Sequence, residues 1–193
     1  MLANLQKYRI VLGSNSPRRK ELLAGLDLEF DVEVIPGIDE SYPDTLTSAA
    51  IPLYIARKKA EAYLEKMSDD ELLITADTIV ATYDRILGKP DSRENAVEML
   101  RYLSGHVHEV ITGVCLTTKE KTVSFSVDSA VSFAKLEEED ILYYVDKYRP
   151  FDKAGSYGIQ EWIGYIGVEA INGSFYNVMG LPVQRLYQEL KNF

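Results

Sequence analysis

Asp77 sits inside the apolar run "LLITADTIV", an awkward place for a carboxylate, because Asp is depleted in strands and burying its charge without partners is expensive. Facing a cleft, such a group serves as a general base or holds a metal ion; facing solvent on a bulge, it is an ordinary strand residue. Positive charge is placed just as awkwardly in "GSNSPRRKELL", residues 13–23. Ser14 or Ser16 can cap a helix there, and Pro17 suits its first position because its missing N–H needs no partner. Leu22, Leu23 and Leu26 supply an apolar stripe at helical spacing. Arg18 and Arg19 then oppose the positive end of the helix dipole, where an acidic residue would be favoured by about 0.3–1 kcal/mol. Something negative belongs beside them.

The other basic candidates are lysines. Lys59 lies in "ARKKAEA", where Arg57, Lys58 and Lys59 point to different sides of a helix, the pattern of a solvated face. Lys89 in "LGKP" and Lys153 in "FDKAGSYG" are each followed by Pro or small residues that shape a loop, as ligand sites often require. His106 and His108 in "GHVHEV" would share one face of a strand, but no third ligand stands at a metal-binding spacing, and they read as ordinary strand residues. Tyr143, Tyr144 and Tyr148 read as packing rather than as a platform for bases. The G-x-x-x-x-G-K-[ST] phosphate loop and a suitably placed G-x-G-x-x-G are both missing. "GSNSP" is not a nucleophile elbow, and no Ser/His/Asp order can be read.

The elements that must position these residues alternate between helix and strand. "YRIVLGS" is a strand running into the arginine-bearing helix, and "EFDVEVIPG" alternates Phe30, Val32 and Val34 with Asp31 and Glu33, the period of a half-buried strand. "TSAAIPLYIARKKAEAYLEKM" reads as a long helix whose start is blurred by Pro52. "LLITADTIVATY" and "RILGKP" are two strands joined by a turn at Tyr83, Asp84 and Arg85. "SRENAVEMLRYLSG" is a helix capped by Ser92 and closed by Gly105. The strands "HEVITGVCLTTK" and "TVSFSVDSAVSFAK" follow, separated by Lys119 to Lys121. Next come a helix "EEEDILYYVDKY", a loop "RPFDKAGSYGIQEW", a hairpin-like "GYIGVEAINGSFYNV" and a last helix after Pro182. Adjacent long strands without intervening helices make the sheet at least partly antiparallel, which disfavours an all-parallel dinucleotide-binding domain.

The composition is that of a folded chain able to bury a sizeable core, with 193 residues and 46% hydrophobic content, as one domain or as two lobes around a shared sheet. A net charge of -9 argues against nonspecific nucleic-acid or anionic-membrane binding, so any basic site is local. No run reaches the roughly 20 apolar residues of a membrane span, and "MLANLQKYRIVLGS" lacks the parts of a leader peptide. Cys115, the single cysteine, reads as an apolar filler and excludes an intramolecular disulfide or a cysteine-based zinc cluster. A cytoplasmic location is the expectation.

Taken in order, "GSNSPRRKELL", "TADTIV", "GKP", "ITGV", "FDKAGSYGIQ" and "INGSFYNVMGLP" resemble the Maf family, septum-formation inhibitor proteins that act as nucleoside triphosphate pyrophosphatases. The resemblance spans nearly the whole chain, residues 1–193 as a single Maf-like domain, and "DKAGSYGIQ" looks like the branch acting on dTTP and UTP rather than 7-methyl-GTP. It implies an α/β fold related to the inosine triphosphatases, with an elongated, mixed, partly antiparallel sheet, flanking helices and two lobes around a cleft. It also implies a divalent cation, magnesium or manganese, and a homodimer. Carried over by motif, the proton acceptor falls on Asp77, specificity positions on Arg18, Arg19, Thr78 and Gln160, and basic contacts on Lys59, Lys89 and Lys153, with Ser14 among the substrate-binding residues. The helix N-terminus and the two arginines then suit a triphosphate.

Gln160 suits a thymine or uracil edge, since its carbonyl can accept from N3–H while its amide donates to O4. Flipped by half a turn it would serve cytosine, so fixed backbone groups must share in the choice. Glu40 in "GIDESY" is an acidic candidate for metal support beside Asp77. The chain departs from the family pattern at Glu161 and Trp162, where many relatives carry glycine. The competing readings are a pyrophosphatase for modified pyrimidine nucleotides or 7-methyl-GTP, and a noncatalytic nucleotide-binding regulator of cell division.

Overall fold

The computed structural model describes residues 2–193. In chain order the elements are β1 (Arg9–Leu12), α1 (Pro17–Ala24), β2 (Asp31–Val32), α2 (Ile51–Glu61), β3 (Glu71–Ala81), β4 (Ile86–Leu87) and α3 (Arg93–Leu103). These are followed by β5 (Val107–Thr117), β6 (Thr122–Phe133), α4 (Glu138–Tyr148), α5 (Trp162–Gly167), β7 (Val168–Asn172), α6 (Phe175–Met179) and α7 (Val183–Lys191). Among the described residues seven strands form one sheet in the order β2-β1-β3-β5-β6-β7, with β4 also paired to β3. β1 runs parallel to β2 and β3, whereas β4 is antiparallel to β3 and β7 antiparallel to β6. The sheet is mixed, as the uninterrupted strands of the sequence require.

Local chemistry explains most element boundaries. Ser16 caps α1, accepting from the Arg19 N–H at 3.4 Å, with Pro17 in the first turn. Ser92 does the same for α3 through the Asn95 N–H at 3.1 Å, and Gly105 follows with φ of +73°, a left-handed conformation that glycine adopts without strain. Pro52 lies in the first turn of α2 and so marks its start rather than interrupting it.

The chain divides into two compact units. The first comprises residues 1–77, 112–127 and 180–193, the second residues 78–111 and 128–179. In the first, Val11, Ala56, Ala60, Tyr63, Met67, Leu73 and Cys115 form a buried cluster, with Ile35 and Ile38 packed on it. Cys115 is thus the apolar filler that its setting suggested. α2 lies close to the sheet because β5 has Gly113 beneath it: a Cβ there would fall 2.4 Å from the Pro52 carbonyl carbon and from the Leu53 nitrogen. Thr75, buried on β3, donates to the Ala56 carbonyl at 2.7 Å and fixes the helix at that height. In the second unit, Leu100, Leu103, Ile141, Tyr144, Val145 and Ile163 are buried, and the bidentate pair of Arg93 with Asp146 joins α3 to α4 at the surface.

Three sequence expectations are corrected. The strand read over Phe30 to Val34 shrinks to Asp31–Val32, and Val32 and Val34 are 39% and 42% exposed. It lies at the sheet edge, where nothing covers the apolar side of the alternation. The hairpin read over residues 164–178 is instead α5, β7 and α6, because β7 takes its partner from β6. His106 precedes β5 in an exposed bend while His108 is buried within it, so the two share no strand face.

Candidate active site

Asp77 stands near the middle of β3, 9% exposed, and its charge is met rather than left bare. Lys59, projecting from α2, places Nζ 2.8 Å from Asp77 Oδ1 and 3.0 Å from Glu40 Oε1. One ammonium thus gathers two carboxylates brought from a loop and from the sheet. The basic run that resembled a solvated face is spent on three separate partners: Arg57 donates to Ser124 Oγ at 2.8 and 2.6 Å, Lys58 pairs with Asp39 at 2.7 Å, and Lys59 turns inward.

Arg18 and Arg19 occupy the first turn of α1, both half-buried. Arg19 Nε donates to the Gly180 carbonyl at 2.9 Å, and its Nη1 donates to Ser14 Oγ at 3.4 Å. Ser14 is buried, and its Oγ also accepts from the Ser16 N–H at 3.3 Å, so this serine organises the loop while Ser16 caps the helix. Burial pushes the Arg19 guanidinium below its ordinary pKa, against the pull of Asp77, with Arg18 adding to the depression and Glu40 opposing it. A partly desolvated cation beside a second arginine is poised to gain from an added anion. Ser14, Arg19, Glu40, Lys59 and Asp77 all belong to the first unit, together with Arg18.

In the second unit, Thr78 is half-buried directly after Asp77, and Lys89 is exposed in the loop beyond β4. The Gly155 N–H donates to the Gly88 carbonyl at 3.1 Å, tying the turn before Lys89 to the turn after Lys153. Lys153 is buried, with Nζ 2.7 Å from Asp152 Oδ1 and 3.2 Å from Glu161 Oε1. Gln160 is half-buried, yet its Oε1 is buried with no hydrogen-bond partner among the described residues. Two further side chains beside Gln160 were not singled out from the sequence. Tyr144, read there as packing, donates a short hydrogen bond to Glu161 Oε2 and accepts from the Gly158 N–H at 3.0 Å. Glu161, which stands where the family pattern carries glycine, is thereby held between Tyr144 and Lys153.

Among the described residues no group of three His, Cys, Asp or Glu side chains is placed to hold a metal ion. Glu40 and Asp77 are nonetheless an all-oxygen pair, which fits a hard cation that takes one or two carboxylates and completes its shell with water and substrate phosphates. No helix among the described residues is long and apolar enough to cross a membrane.

The architecture is that of a mixed α/β protein whose buried carboxylate is gripped by a lysine near a pair of helix-terminal arginines. A family model described as Maf-like protein matches residues 9–193, and the chain belongs to that family. It is 72% identical over 193 residues, all of both chains, to a Parabacteroides distasonis protein named dTTP/UTP pyrophosphatase. A Bacteroides thetaiotaomicron protein of the same name is 63% identical over 191 residues, 99% of each chain. Among solved structures, the Staphylococcus aureus Ham1 protein aligns over 94% of this chain and 99% of its own with a TM-score of 0.48 and 18% identity.

Proposed function

We propose that this protein hydrolyses dTTP and UTP to the nucleoside monophosphate and pyrophosphate. The names of relatives 72% and 63% identical along their whole length support the substrate class. The geometry supports it through one observation above all: Asp77, buried in β3, lies 2.8 Å from Lys59 Nζ, which also reaches Glu40 at 3.0 Å. A carboxylate oxygen fixed in that position can orient a water and take its proton.

In this reading water attacks the α-phosphorus, the bond to the bridging oxygen of the β-phosphate breaks, and pyrophosphate leaves. Asp77 orients the water and accepts its proton. The Arg18 and Arg19 guanidinium groups bind the phosphate oxygens, and Ser14 holds the Arg19 fork in place. Lys59 in the first unit and Lys89 and Lys153 in the second are assigned as basic contacts of the substrate, and Thr78 and Gln160 as its specificity positions. Glu40 and Asp77 would hold a magnesium ion, which when bound neutralises charge on the phosphates. Positioning and charge neutralisation are the main contributions in phosphoryl transfer.

The test is a panel of dTTP, UTP, dCTP, ATP, GTP and 7-methyl-GTP, with pyrophosphate release measured in magnesium and in manganese. dTTP and UTP should be turned over well ahead of the purine nucleotides. Equal rates across the panel would remove the pyrimidine assignment, and tight nucleotide binding without turnover would favour the regulator.

A further inference from the structure

The amide of Gln160 presents a problem that its own residue type does not solve. A glutamine read one way accepts from the N3–H of thymine or uracil; rotated by half a turn, it offers N–H to the bare N3 of cytosine. Its surroundings break that symmetry. A Cβ built on Gly158 would lie 2.9 Å from the Glu161 carboxylate carbon and 3.1 Å from Gln160 Nε2, so both side chains lie over the same glycine. The carboxylate favours the N–H end of the amide on its own side and the carbonyl end turned away. That carbonyl oxygen is the buried atom left without a partner.

The carboxylate is itself held firmly. Tyr144, fully buried on α4, donates to its Oε2, and the same hydroxyl accepts from the Gly158 N–H at 3.0 Å. Lys153 Nζ reaches its Oε1 at 3.2 Å but lies closer, 2.7 Å, to Asp152. Lys153 thus divides its ammonium between two carboxylates and lies nearer to Asp152 than to Glu161. The turn is closed by the Glu161 N–H donating to the Gly158 carbonyl at 2.9 Å. Behind it the Ile159 carbonyl sits so near Gly164 that a Cβ there would fall 1.8 Å away.

We propose that Glu161, pinned by Tyr144, is a positioning residue that fixes the orientation of the Gln160 amide and so makes the protein select thymine and uracil nucleotides against cytosine nucleotides. The inference rests on the pyrimidine triphosphate reading above. The carboxylate acts through Gln160 and does not touch the base.

The experiment compares kcat/KM for dTTP and dCTP in the wild type, Glu161→Gln and Tyr144→Phe, together with inhibition by tripolyphosphate, which has no base. Glu161→Gln keeps the shape and an acceptor for Tyr144 but removes the charge. The dTTP-to-dCTP ratio should fall about tenfold, the effect of one hydrogen bond misdirected, through KM more than kcat. Tripolyphosphate inhibition should hold or tighten, because Lys153 loses a competing anion. A Glu161→Gln enzyme with the wild-type ratio overturns the proposal. Should that variant not fold, Tyr144→Phe decides, since releasing the carboxylate must also lower the ratio, and an unchanged ratio overturns the proposal equally. A wild type that turns over dTTP and dCTP alike, both ahead of ATP, overturns this inference while leaving the pyrimidine reading intact. A wild type that prefers ATP overturns both.

Discussion

Lys59 Nζ lies 2.8 Å from Asp77 Oδ1, with each side chain 12% exposed, and this contact links α2 to the middle of the sheet. Asp77→Asn keeps the size of the side chain but removes its charge and its basic oxygen. Turnover of dTTP should fall 10²- to 10⁴-fold, the range of general-base catalysis. Lys59 retains Glu40 at 3.0 Å, so the stability loss should stay below the ~3–5 kcal/mol of a fully orphaned buried charge. Nucleotide binding in chelator should hold or tighten, because an amide does not repel a triphosphate. Near wild-type turnover would make Asp77 an ordinary strand residue.

The height of Lys59 above the sheet depends on a glycine on another strand. At Gly113 an added methyl would meet backbone, the Pro52 carbonyl carbon and Leu53 nitrogen each at 2.4 Å, and no flexible side chain is there to yield. Gly113→Ala should force α2 outward and cost about 1–3 kcal/mol or more. Displacing Lys59 by a fraction of an ångström should also slow turnover, by up to ~10²-fold for a full ångström. Gly25→Ala, whose φ of -63° suits any residue, is the control and should stay within about 1 kcal/mol of wild type. Identical melting of Gly113→Ala and wild type would mean that the helix is not held by this approach.

What the sequence revealed and what it concealed divide along the range of the interactions. The ends of α1 and α3 were legible because Ser16, Pro17, Ser92 and Gly105 act on their own neighbours. The strands β5 and β6 were legible from long β-rich runs with a short turn between them. Lys59 was misread as part of a solvated face because its partners, Glu40 and Asp77, lie in other elements. Val32 and Val34 alternate as a half-buried strand should, but periodicity cannot say that the strand will lie at the sheet edge. Tyr144 was rightly placed as packing, yet the use of its hydroxyl depends on a turn that approaches only in the folded chain.

His108 provides a test of the second unit through pH. Its ring lies edge-on to Phe133 and Tyr157, with centroids 5.0 and 5.4 Å away, and Nε2 is 2.6 Å from the Tyr157 hydroxyl. Nδ1 is buried with no hydrogen-bond partner among the described residues. Burial drives the His108 pKa down from 6.5 to about 4, and burial likewise holds the Tyr157 phenol far above its ordinary value, so both remain neutral in the fold. The unfolded chain takes up a proton at His108 as pH drops through about 6.5, whereas the folded chain resists until about 4. Stability from this residue is therefore complete above the unfolded value and is lost progressively as pH falls between the two. The loss should reach about 3 kcal/mol at the acid end, or on the order of 10 °C in melting temperature. His108→Leu removes the titrating group, so the drop in melting temperature between pH 7.5 and pH 4.5 should be several degrees smaller than in the wild type, although the variant starts lower for want of the Tyr157 contact. If both proteins lose the same amount over that interval, His108 carries no proton-linked stability and the acid sensitivity must come from the carboxylates.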